Sequence, residues 1–510
     1  MKNTKKGIAN ILTAILSQVI TLGLGIVIPR LVLVNLGSEA NGLLNSISTV
    51  LTYVSLLEAG VGTASLMALY TPVALDDKSQ INAILAATNT FYKRTGRWYF
   101  IAVTAMTVVF PLTISSTLPV WQIMAVTFLS GMPGVVSYYF QGKYQILLRA
   151  EGRDYVLTNL TTIIHTCTSL AKIVLLLCGC DIVMLQCMYM AFSLVQVAFI
   201  LLYIKRRYGW LNLHVEPDFD AISQSKNALV HQVSALIFNN TDTLILSYFC
   251  GLKLVSVYSM YALLFGIIST AINNFGGANF ILGQSYHTDK ERFLRLLDTY
   301  EIFNMVLTFS LFCIANMFIL PFMRLYTNNI SDVIYVDRYL PYLFISTYLL
   351  SNGRNSSTQV INYAGHFRQT QWRSILESVI NITISLLAVS RFGIYGVLIG
   401  TIAALLYRTN DMIIYANKKI LGRSPWRTYR RWVVNLGLFV ALTLVTRPLL
   451  ARLALDSYPK IILWAAVASL IVIPLFFAAA ALFDRETYRY AKGMLLPYLK
   501  RLRKPHSKIS

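Results

Sequence analysis

Two stretches of twelve residues, 212 positions apart, decide the fold of this chain. Residues 77–88 read DKSQINAILAAT, and residues 289–300 read DKERFLRLLDTY. In both, an Asp-Lys pair precedes mostly apolar side chains at the i, i+3, i+4, i+7 spacing of a one-faced helix. Leu36-Gly37 matches Cys250-Gly251 at an offset of 214, and Gly152-Arg153 matches Gly365-His366 at 213. An offset this constant indicates a duplicated half.

The composition assigns the chain to the membrane. Of its 510 residues, 56% are hydrophobic and only 13% are charged, whereas a soluble protein has about a quarter charged residues. Its mean hydropathy is +0.58. A chain of this size with so few polar groups cannot cover a water-soluble surface, so its solvent is predicted to be lipid. The apolar runs are too long for the alternating strands of a barrel, which predicts an all-α membrane protein.

Fourteen apolar runs are each long enough to cross a bilayer as a helix, because about 20 residues span the hydrocarbon core. They cover about residues 8–34, 43–69, 98–117, 120–141, 156–179, 182–204, 228–249, 254–281, 300–320, 339–362, 372–390, 394–416, 432–450 and 459–483.

The net charge of +22 raises the possibility of a nucleic-acid partner, but its distribution argues against one. Of the 44 Lys and Arg residues, 33 fall on the side that holds both termini, 7 on the opposite side and 4 within the spans. This asymmetry is the positive-inside rule, which predicts cytoplasmic termini. The excess on that side also favours anionic lipids at the cytoplasmic face.

The repeat predicts the domain organisation. Residues 1–204 form a six-span N-lobe, 205–227 a cytoplasmic linker, and 228–416 a six-span C-lobe. Residues 417–484 add spans 13 and 14, and 485–510 form a basic cytoplasmic tail. Because each lobe has an even number of spans, the lobes are predicted to be parallel repeats related by an axis along the membrane normal.

Motifs for catalysis and metal binding are absent from the sequence. The six cysteines form no C-x-x-C pair, so neither a metal site nor a disulfide framework is predicted. There is no phosphate-binding glycine loop, zinc motif or nucleophile elbow. We therefore expect a protein that is not an enzyme and has no cofactor.

Four charged residues lie deep in the predicted spans: Arg30, Glu58, Asp242 and Arg354. Each costs about 2.5–3.5 kcal/mol at the bilayer centre, so each should face protein or a water-filled cavity. The offset of 212 aligns Asp242 with Arg30, which suggests opposite charges at matched depth. Two interpretations stay open, a functional cavity and a structural ion pair between the lobes.

Other intramembrane charges carry a weaker signal. Lys172 lies near enough to a span end to extend its ammonium to the interface, so a lipid-facing role and a cavity role are equally open. Glu377 shares a helix face with Ser374 and Asn381, near the cytoplasmic end of its span. Arg408 and Asp411 are three residues apart, and a local salt bridge is the favoured interpretation.

The N-terminal sequence resembles a known family over roughly the first 95 residues. The resemblance rests on residues 28–31 (IPRL), 35–43 (NLGSEANGL), 53–62 (YVSLLEAGVG) and 69–72 (LYTP), and on the amphipathic helix at 82–92. These stretches resemble Wzx-type oligosaccharide flippases of polysaccharide biosynthesis, in the multidrug/oligosaccharidyl-lipid/polysaccharide (MOP) superfamily.

The resemblance implies a MATE-like, V-shaped pair of helical bundles in a bacterial cytoplasmic membrane. It implies alternating access and an undecaprenyl-diphosphate-linked oligosaccharide as substrate, for capsule, exopolysaccharide or O-antigen synthesis. On this hypothesis Arg30 and Arg354 bind the diphosphate, because guanidinium groups suit phosphate oxygens. The sugar hydroxyls are bonded by three amides, those of Asn239, Asn240 and Asn352.

No ATP motif is present, so any energy input would come from Na+ or H+ coupling through Asp242 or Glu58, or from downstream consumption of the glycan. Polysaccharide polymerase machinery is an expected partner; nucleic acid is not. A cation-coupled multidrug exporter and a lipid II flippase stay open as alternatives. A membrane glycosyltransferase or polymerase is disfavoured because the outer loops are short and hold few carboxylates.

Overall fold

The computed structural model describes residues 2–58, 61–222, 226–274 and 279–502. Parts of four predicted segments lie outside these described residues: positions 59–60 of the second run, 223–225 of the linker, 275–278 of the eighth run and 503–510 of the tail.

The described chain is all helical. Its α-helices, in chain order, are α1 (Lys2–Val54), α2 (Val61–Leu75), α3 (Lys78–Thr113), α4 (Val120–Val136), α5 (Gly142–Ala150), α6 (Asp154–Leu177), α7 (Ile182–Arg207), α8 (Lys226–Phe249), α9 (Leu252–Asn274), α10 (Asn279–Thr288), α11 (Lys290–Tyr326), α12 (Leu340–Gly353), α13 (Asn355–Tyr363), α14 (Phe367–Phe392), α15 (Ile394–Ile414), α16 (Trp426–Leu450), α17 (Tyr458–Phe483) and α18 (Arg485–Leu502). Short 3-10 turns cover Ser55–Glu58 and Asp220–Ile222, and π-helical turns cover Ser137–Gln141 and Tyr415–Leu421.

Within the described residues, ten helical segments are long and apolar enough to cross a membrane, which makes this a multi-pass membrane protein. The other four predicted runs fall on the end of α1 together with α2, on α3, on α8 and on the α12–α13 pair. Two of these runs are interrupted where the sequence turns polar, at Ser55–Glu58 and at Arg354. Ser55, Asn352 and Asn355 lie at or beside these breaks, and Ser and Asn side chains compete for backbone hydrogen bonds and weaken a continuous helix. The all-α membrane fold is confirmed; the total of fourteen spans stays a prediction.

The two stretches that revealed the repeat start equivalent helices. Asp77 caps α3, its Oδ1 accepting from the amides of Ser79 (3.1 Å) and Gln80 (3.0 Å), and Asp289 caps α11 by accepting from the Arg292 amide at 3.0 Å. The apolar faces beyond both caps are turned inward, as predicted. The paired glycines also match: φ is 84° and 82° at positions 37 and 251, and 68° and 66° at positions 152 and 365.

The chain packs as two compact units. The first unit contains residues 1–260, 329–334 and 389–397, and the second contains 261–328, 335–388 and 398–510. These are units of packing, whereas the predicted lobes are units of sequence repetition, and the two need not coincide. The lobe boundaries at 1–204 and 228–416 stay a prediction.

In the first unit, α1 packs on α4, α6 and α8. Its contact with α8 and α9 is close and polar, as is common where membrane helices meet through small residues. Asn41 donates to Ser256 at 2.7 Å, and the hydroxyls of Ser46 and Ser247 are 2.6 Å apart. A Cβ on Gly42 would lie 1.9 Å from the backbone oxygen of Leu252, so only glycine fits there.

In the second unit, α11 is the central helix and packs on α12, α16 and α17. Its core includes large aromatic side chains from α9, α11 and α12, such as Phe265, Phe312 and Phe344, all at most 2% exposed. Gly353 ends α12 against α16: a Cβ there would lie 2.1 Å from the indole ring of Trp432. This close approach leaves room only for glycine at the end of α12, directly before the break at Arg354.

Candidate functional site

The break between α12 and α13 holds the first group of candidate residues. Arg354 lies at the break and donates from Nη1 to Glu377 Oε1 of α14 at 2.6 Å. The two side chains are 16% and 9% exposed. A charge-assisted bond this short in a mostly buried position is strong. Two residues proposed separately from the sequence, Arg354 and Glu377, are therefore one ion pair.

The pair continues into a chain of alternating charges within the second unit. Glu377 Oε2 also lies 3.4 Å from Arg408 Nε, and Arg408 Nη1 donates to Asp411 Oδ2 at 2.8 Å. Asp411 in turn accepts from Arg373. The local pair between Arg408 and Asp411 is confirmed. With three arginines and two carboxylates, the network carries a formal excess of one positive charge at the α12–α13 break.

Asn352 lies beside this network but is engaged by other side chains. Its amide oxygen accepts from Ser269 at 3.0 Å, and its amide nitrogen donates to the Tyr348 carbonyl at 2.9 Å. Its own carbonyl accepts from Asn304 at 3.1 Å. Because Asn352 is only 2% exposed, a sugar hydroxyl could bond its side chain only by displacing one of these partners.

In the first unit, Glu58 lies in the 3-10 turn that follows α1, where it accepts a short hydrogen bond from the Tyr92 hydroxyl of α3. The Tyr92 ring stacks on Tyr138, with centroids 5.9 Å apart. A Cβ on Gly62 would lie 2.9 Å from Glu58 Oε1. Glu58 is thus a half-buried carboxylate held by a phenol rather than by an arginine.

Asp242 lies in α8 and is 3% exposed. Its Oδ2 accepts from the Tyr258 hydroxyl at 3.0 Å. One turn earlier, Asn239 is exposed and Asn240 is half-buried, with the Asn240 amide donating to the carbonyl of Leu236 at 2.9 Å. Asp242, like Glu58, has a tyrosine donor, and this pairing of a membrane carboxylate with a phenol occurs twice in the unit.

Arg30 and Lys172 also lie in the first unit. Arg30 is half-buried in α1, directly after Pro29. The proposed opposition of Arg30 and Asp242 across a cavity stays a prediction. Lys172 in α6 places its ammonium 5.0 Å from the centre of the Tyr189 ring. This cation–π contact gives Lys172 a protein partner.

Solved structures with the same fold were found, although no protein-family model and no curated protein matches the sequence. A structure described as lipid II flippase MurJ, inward closed conformation, has a TM-score of 0.68, with 11% identity over 93% of this chain and 99% of that one. The inward-facing conformation of a MATE-family multidrug resistance transporter of the MOP superfamily gives 0.61, with 14% identity over 79% and 94%. The outward-facing conformation of such a MATE transporter gives 0.53, with 14% identity over 80% and 95%.

This chain has the fold of the MATE and MurJ proteins. At such identities the likeness shows the fold alone. The site residues must therefore be argued from this chain's own contacts.

The sequence analysis missed two charged groups that the structure makes prominent. Lys143 follows the π-helical turn Ser137–Gln141, is 8% exposed, and donates to Asn89 Oδ1 at 2.6 Å. Among the described residues no carboxylate pairs with it. π-Helical turns often mark functional positions. The position of Lys143 between two apolar stretches was the available signal.

The second missed group is a charge cluster centred on Arg431 of α16. Arg431 contacts Asp298 (3.0 Å), Asp484 (2.6 Å) and Glu301, and Arg423 contacts Asp298 at 2.9 Å. The cluster joins the start of α11 to α16 and to the end of α17. Arg427 and Arg431, four residues apart, were the sequence signal, since this spacing places them on one face of α16.

Proposed function

We propose that this protein is a flippase that moves a polyprenyl-diphosphate-linked oligosaccharide across a bacterial cytoplasmic membrane by alternating access. The observation that carries the proposal is the fold. One similar structure covers nearly the whole of both chains and is described as a lipid II flippase, and others are described as MATE transporters. In the proposed orientation both termini are cytoplasmic, as the distribution of Lys and Arg predicts.

The charge network in the second unit supports a phosphate-bearing substrate. An ionised group at the bilayer centre is costly, so a diphosphate needs cationic partners along its route. Arg354 is still 16% exposed, and its network has one more arginine than carboxylates. A diphosphate that displaced Glu377 from Arg354 would leave this carboxylate paired with Arg408, because Glu377 already lies 3.4 Å from Arg408 Nε. Arg30 is proposed as the second phosphate ligand, in the first unit.

Neutral amides are proposed to bind the sugar. Asn239 is exposed in α8, so its side chain would bond a hydroxyl without first losing a buried partner. Asn240 and Asn352 already have partners. We therefore rank Asn239 first for sugar binding, with Asn240 and Asn352 joining only after their present bonds rearrange.

Glu58 and Asp242 are the proposed coupling carboxylates for H+ or Na+. Each accepts a hydrogen bond from a tyrosine. A carboxylate within the membrane is by default a candidate site for a proton or a monovalent cation. The anionic lipids at the cytoplasmic face and polymerase machinery remain the proposed partners.

A cation-coupled multidrug exporter is the second candidate, and the same two carboxylates favour it. An acidic surface in the membrane would attract cationic drugs, and MATE-family multidrug transporters share the fold. The excess of arginine around Arg354 in the second unit disfavours a cationic substrate. For this reason the flippase proposal is preferred.

Transport in proteoliposomes separates the two candidates. One set of vesicles receives a fluorescent undecaprenyl-diphosphate oligosaccharide on one leaflet, and a second set receives a cationic dye. The flippase proposal expects the wild-type protein to expose the glycan on the opposite leaflet and to leave the dye gradient unchanged. Arg354→Ala should slow glycan flipping by about tenfold or more, because it removes a charge-assisted contact.

The control is the double variant Arg354→Gln/Glu377→Gln, which removes the ion pair without leaving a buried charge. If Arg354 serves only to neutralise Glu377, the double variant should flip at the wild-type rate. If Arg354 binds diphosphate, the double variant should stay slow. Flipping by Arg354→Ala at the wild-type rate would refute the binding role, and dye export without glycan flipping would refute the proposed substrate.

A further inference from the structure

A cavity of about 530 Å³ lies in the second unit, away from the charge network at Arg354. It is bounded by the end of α11, the segment before α12 and the end of α16. Ligand pockets usually have volumes of about 300–1,000 Å³. The cavity is thus large enough for a phosphate group together with part of the molecule to which the phosphate is esterified.

Three arginines line this cavity: Arg324, Arg338 and Arg447. No carboxylate is among its lining residues. In the described part of the chain, none of the three forms a salt bridge, whereas Arg354, Arg408 and Arg431 are each paired with Asp or Glu. Three cations around one cavity repel each other, and an anion that enters the cavity relieves this repulsion.

The placement of these arginines runs against the general charge distribution of the chain. The side opposite the predicted cytoplasmic face holds only seven basic residues, which are Lys253, Arg324, Arg338, Arg391, Arg447, Arg452 and Lys460. Three of the seven line this one cavity. The positive-inside rule disfavours basic residues on this side, so their concentration here calls for a local cause.

The remaining lining residues suit an amphiphilic anion. Asn316 donates to the Thr443 hydroxyl at 3.2 Å, which gives the wall a neutral polar pair. Leu320 and Leu450 supply apolar surface beside the arginines. Arginine binds phosphate or carboxylate oxygens through two parallel N–H bonds, which favours an oxyanion over a halide. Three guanidinium groups around one cavity offer more donors than the two oxygens of a single carboxylate can use, which favours a phosphate.

We propose that this cavity binds a phosphate-bearing anion, independently of the substrate that the flippase proposal assigns. Two sources share this chemistry, the headgroup of an anionic phospholipid and a soluble phosphate compound. The three guanidinium groups are exposed, so salt screens their attraction and binding weakens as ionic strength rises. The proposal concerns binding, so the failure of a transport assay leaves it standing.

The test uses the full chain, as wild type and as Arg324→Gln/Arg447→Gln. The control is Arg391→Gln/Arg452→Gln, which removes two charges from the same side but none from the cavity lining. In the lipid arm, phosphatidylcholine nanodiscs contain a fixed fraction of phosphatidylglycerol, and native mass spectrometry measures the retained phosphatidylglycerol. In the soluble arm, the binding of radiolabelled inorganic pyrophosphate to the detergent-solubilised protein is measured at low and high salt.

The cavity variant should bind at least about tenfold more weakly than the control variant, the size of one or more lost charge-assisted contacts. Loss in the lipid arm alone identifies a headgroup site, and loss in the pyrophosphate arm identifies a site open to soluble anions. Equal binding by the cavity and control variants in both arms overturns the proposal, as does a wild-type protein that binds neither probe. Because the substituted arginines are exposed, all variants should keep the wild-type unfolding temperature, which a thermal melt checks.

Discussion

Replacing Arg431 by methionine should destabilise the second unit more than any other single change to a charged residue discussed here. Arg431 is 5% exposed and donates to Asp484 from both Nε (2.9 Å) and Nη2 (2.6 Å). It also bonds Asp298 at 3.0 Å and contacts Glu301. Methionine keeps much of the side-chain volume and removes the charge, so the variant isolates the electrostatic contribution.

The expected magnitude follows from what each carboxylate keeps. Asp298 retains Arg423 at 2.9 Å, and Glu301 retains Arg423 at 3.7 Å. Among the described residues, Asp484 retains a hydrogen bond from the hydroxyl of Thr487, at 2.8 Å, and the weaker influence of the Arg427 charge. Breaking a buried pair costs about 3–5 kcal/mol when a charge is left uncompensated. Since one of three carboxylates loses its ionic partner, we expect the low end, about 3 kcal/mol.

For a unit of this size, 1 kcal/mol shifts Tm by about 2–4 °C, so Arg431→Met should lower Tm by about 6–12 °C. Scanning calorimetry of the protein in a neutral detergent measures the shift. The matched control is Arg430→Met, the same substitution at the neighbouring, exposed position. The double variant Arg431→Met/Asp484→Asn should regain more than half of the loss. Equal melting temperatures for Arg431→Met and Arg430→Met would refute this reasoning.

Three further predictions test the packing, the pH response and the repeat. Gly42→Ala should destabilise the first unit by about 1–3 kcal/mol through overpacking. Gly25→Ala in the same helix, where no atom lies near the added Cβ, should raise the stability by up to about 1 kcal/mol. Chemical denaturation compares the free energies of unfolding of the two variants. Burial alone would raise the pKa of Asp484, but the charge of Arg431 and hydrogen bonds from Arg431 and Thr487 lower it. The stabilising contribution of the Asp484 carboxylate is therefore full above the unfolded pKa of about 3.9 and is lost as the pH falls through the lower folded pKa. Thermal melts below pH 4 should show a weaker loss of stability with acid for Asp484→Asn than for the wild type. Asp77→Ala and Asp289→Ala should each cost about 1 kcal/mol and speed amide exchange in the first turn of their own helix, and a large difference between them would argue against equivalent caps.

Two kinds of bonding recur among the charged residues within the apolar part of this chain. Arginines are bonded to carboxylates, as at Arg354 and Arg431, and the carboxylates Glu58 and Asp242 are bonded to tyrosines. Each arrangement satisfies a charge that lipid cannot solvate.

The sequence predicted features that depend on neighbours in the chain. The all-helical membrane fold followed from composition and from runs of apolar residues. The two amphipathic helices followed from their periodicity, and their caps confirm it at Asp77 and Asp289. The pair of Arg408 with Asp411 was predicted because side chains three positions apart are neighbours on the surface of any helix.

Tertiary structure alone decided which distant side chains meet. No local pattern joins Arg354 to Glu377, 23 positions later, or Arg431 to Asp298, 133 positions earlier. Periodicity fixes the face on which a residue lies, but the neighbour on that face depends on the packing of separate helices. The composition of this chain thus determined that it is a bundle of membrane helices, while the partner of each buried charge was set by helix contacts that sequence spacing does not encode.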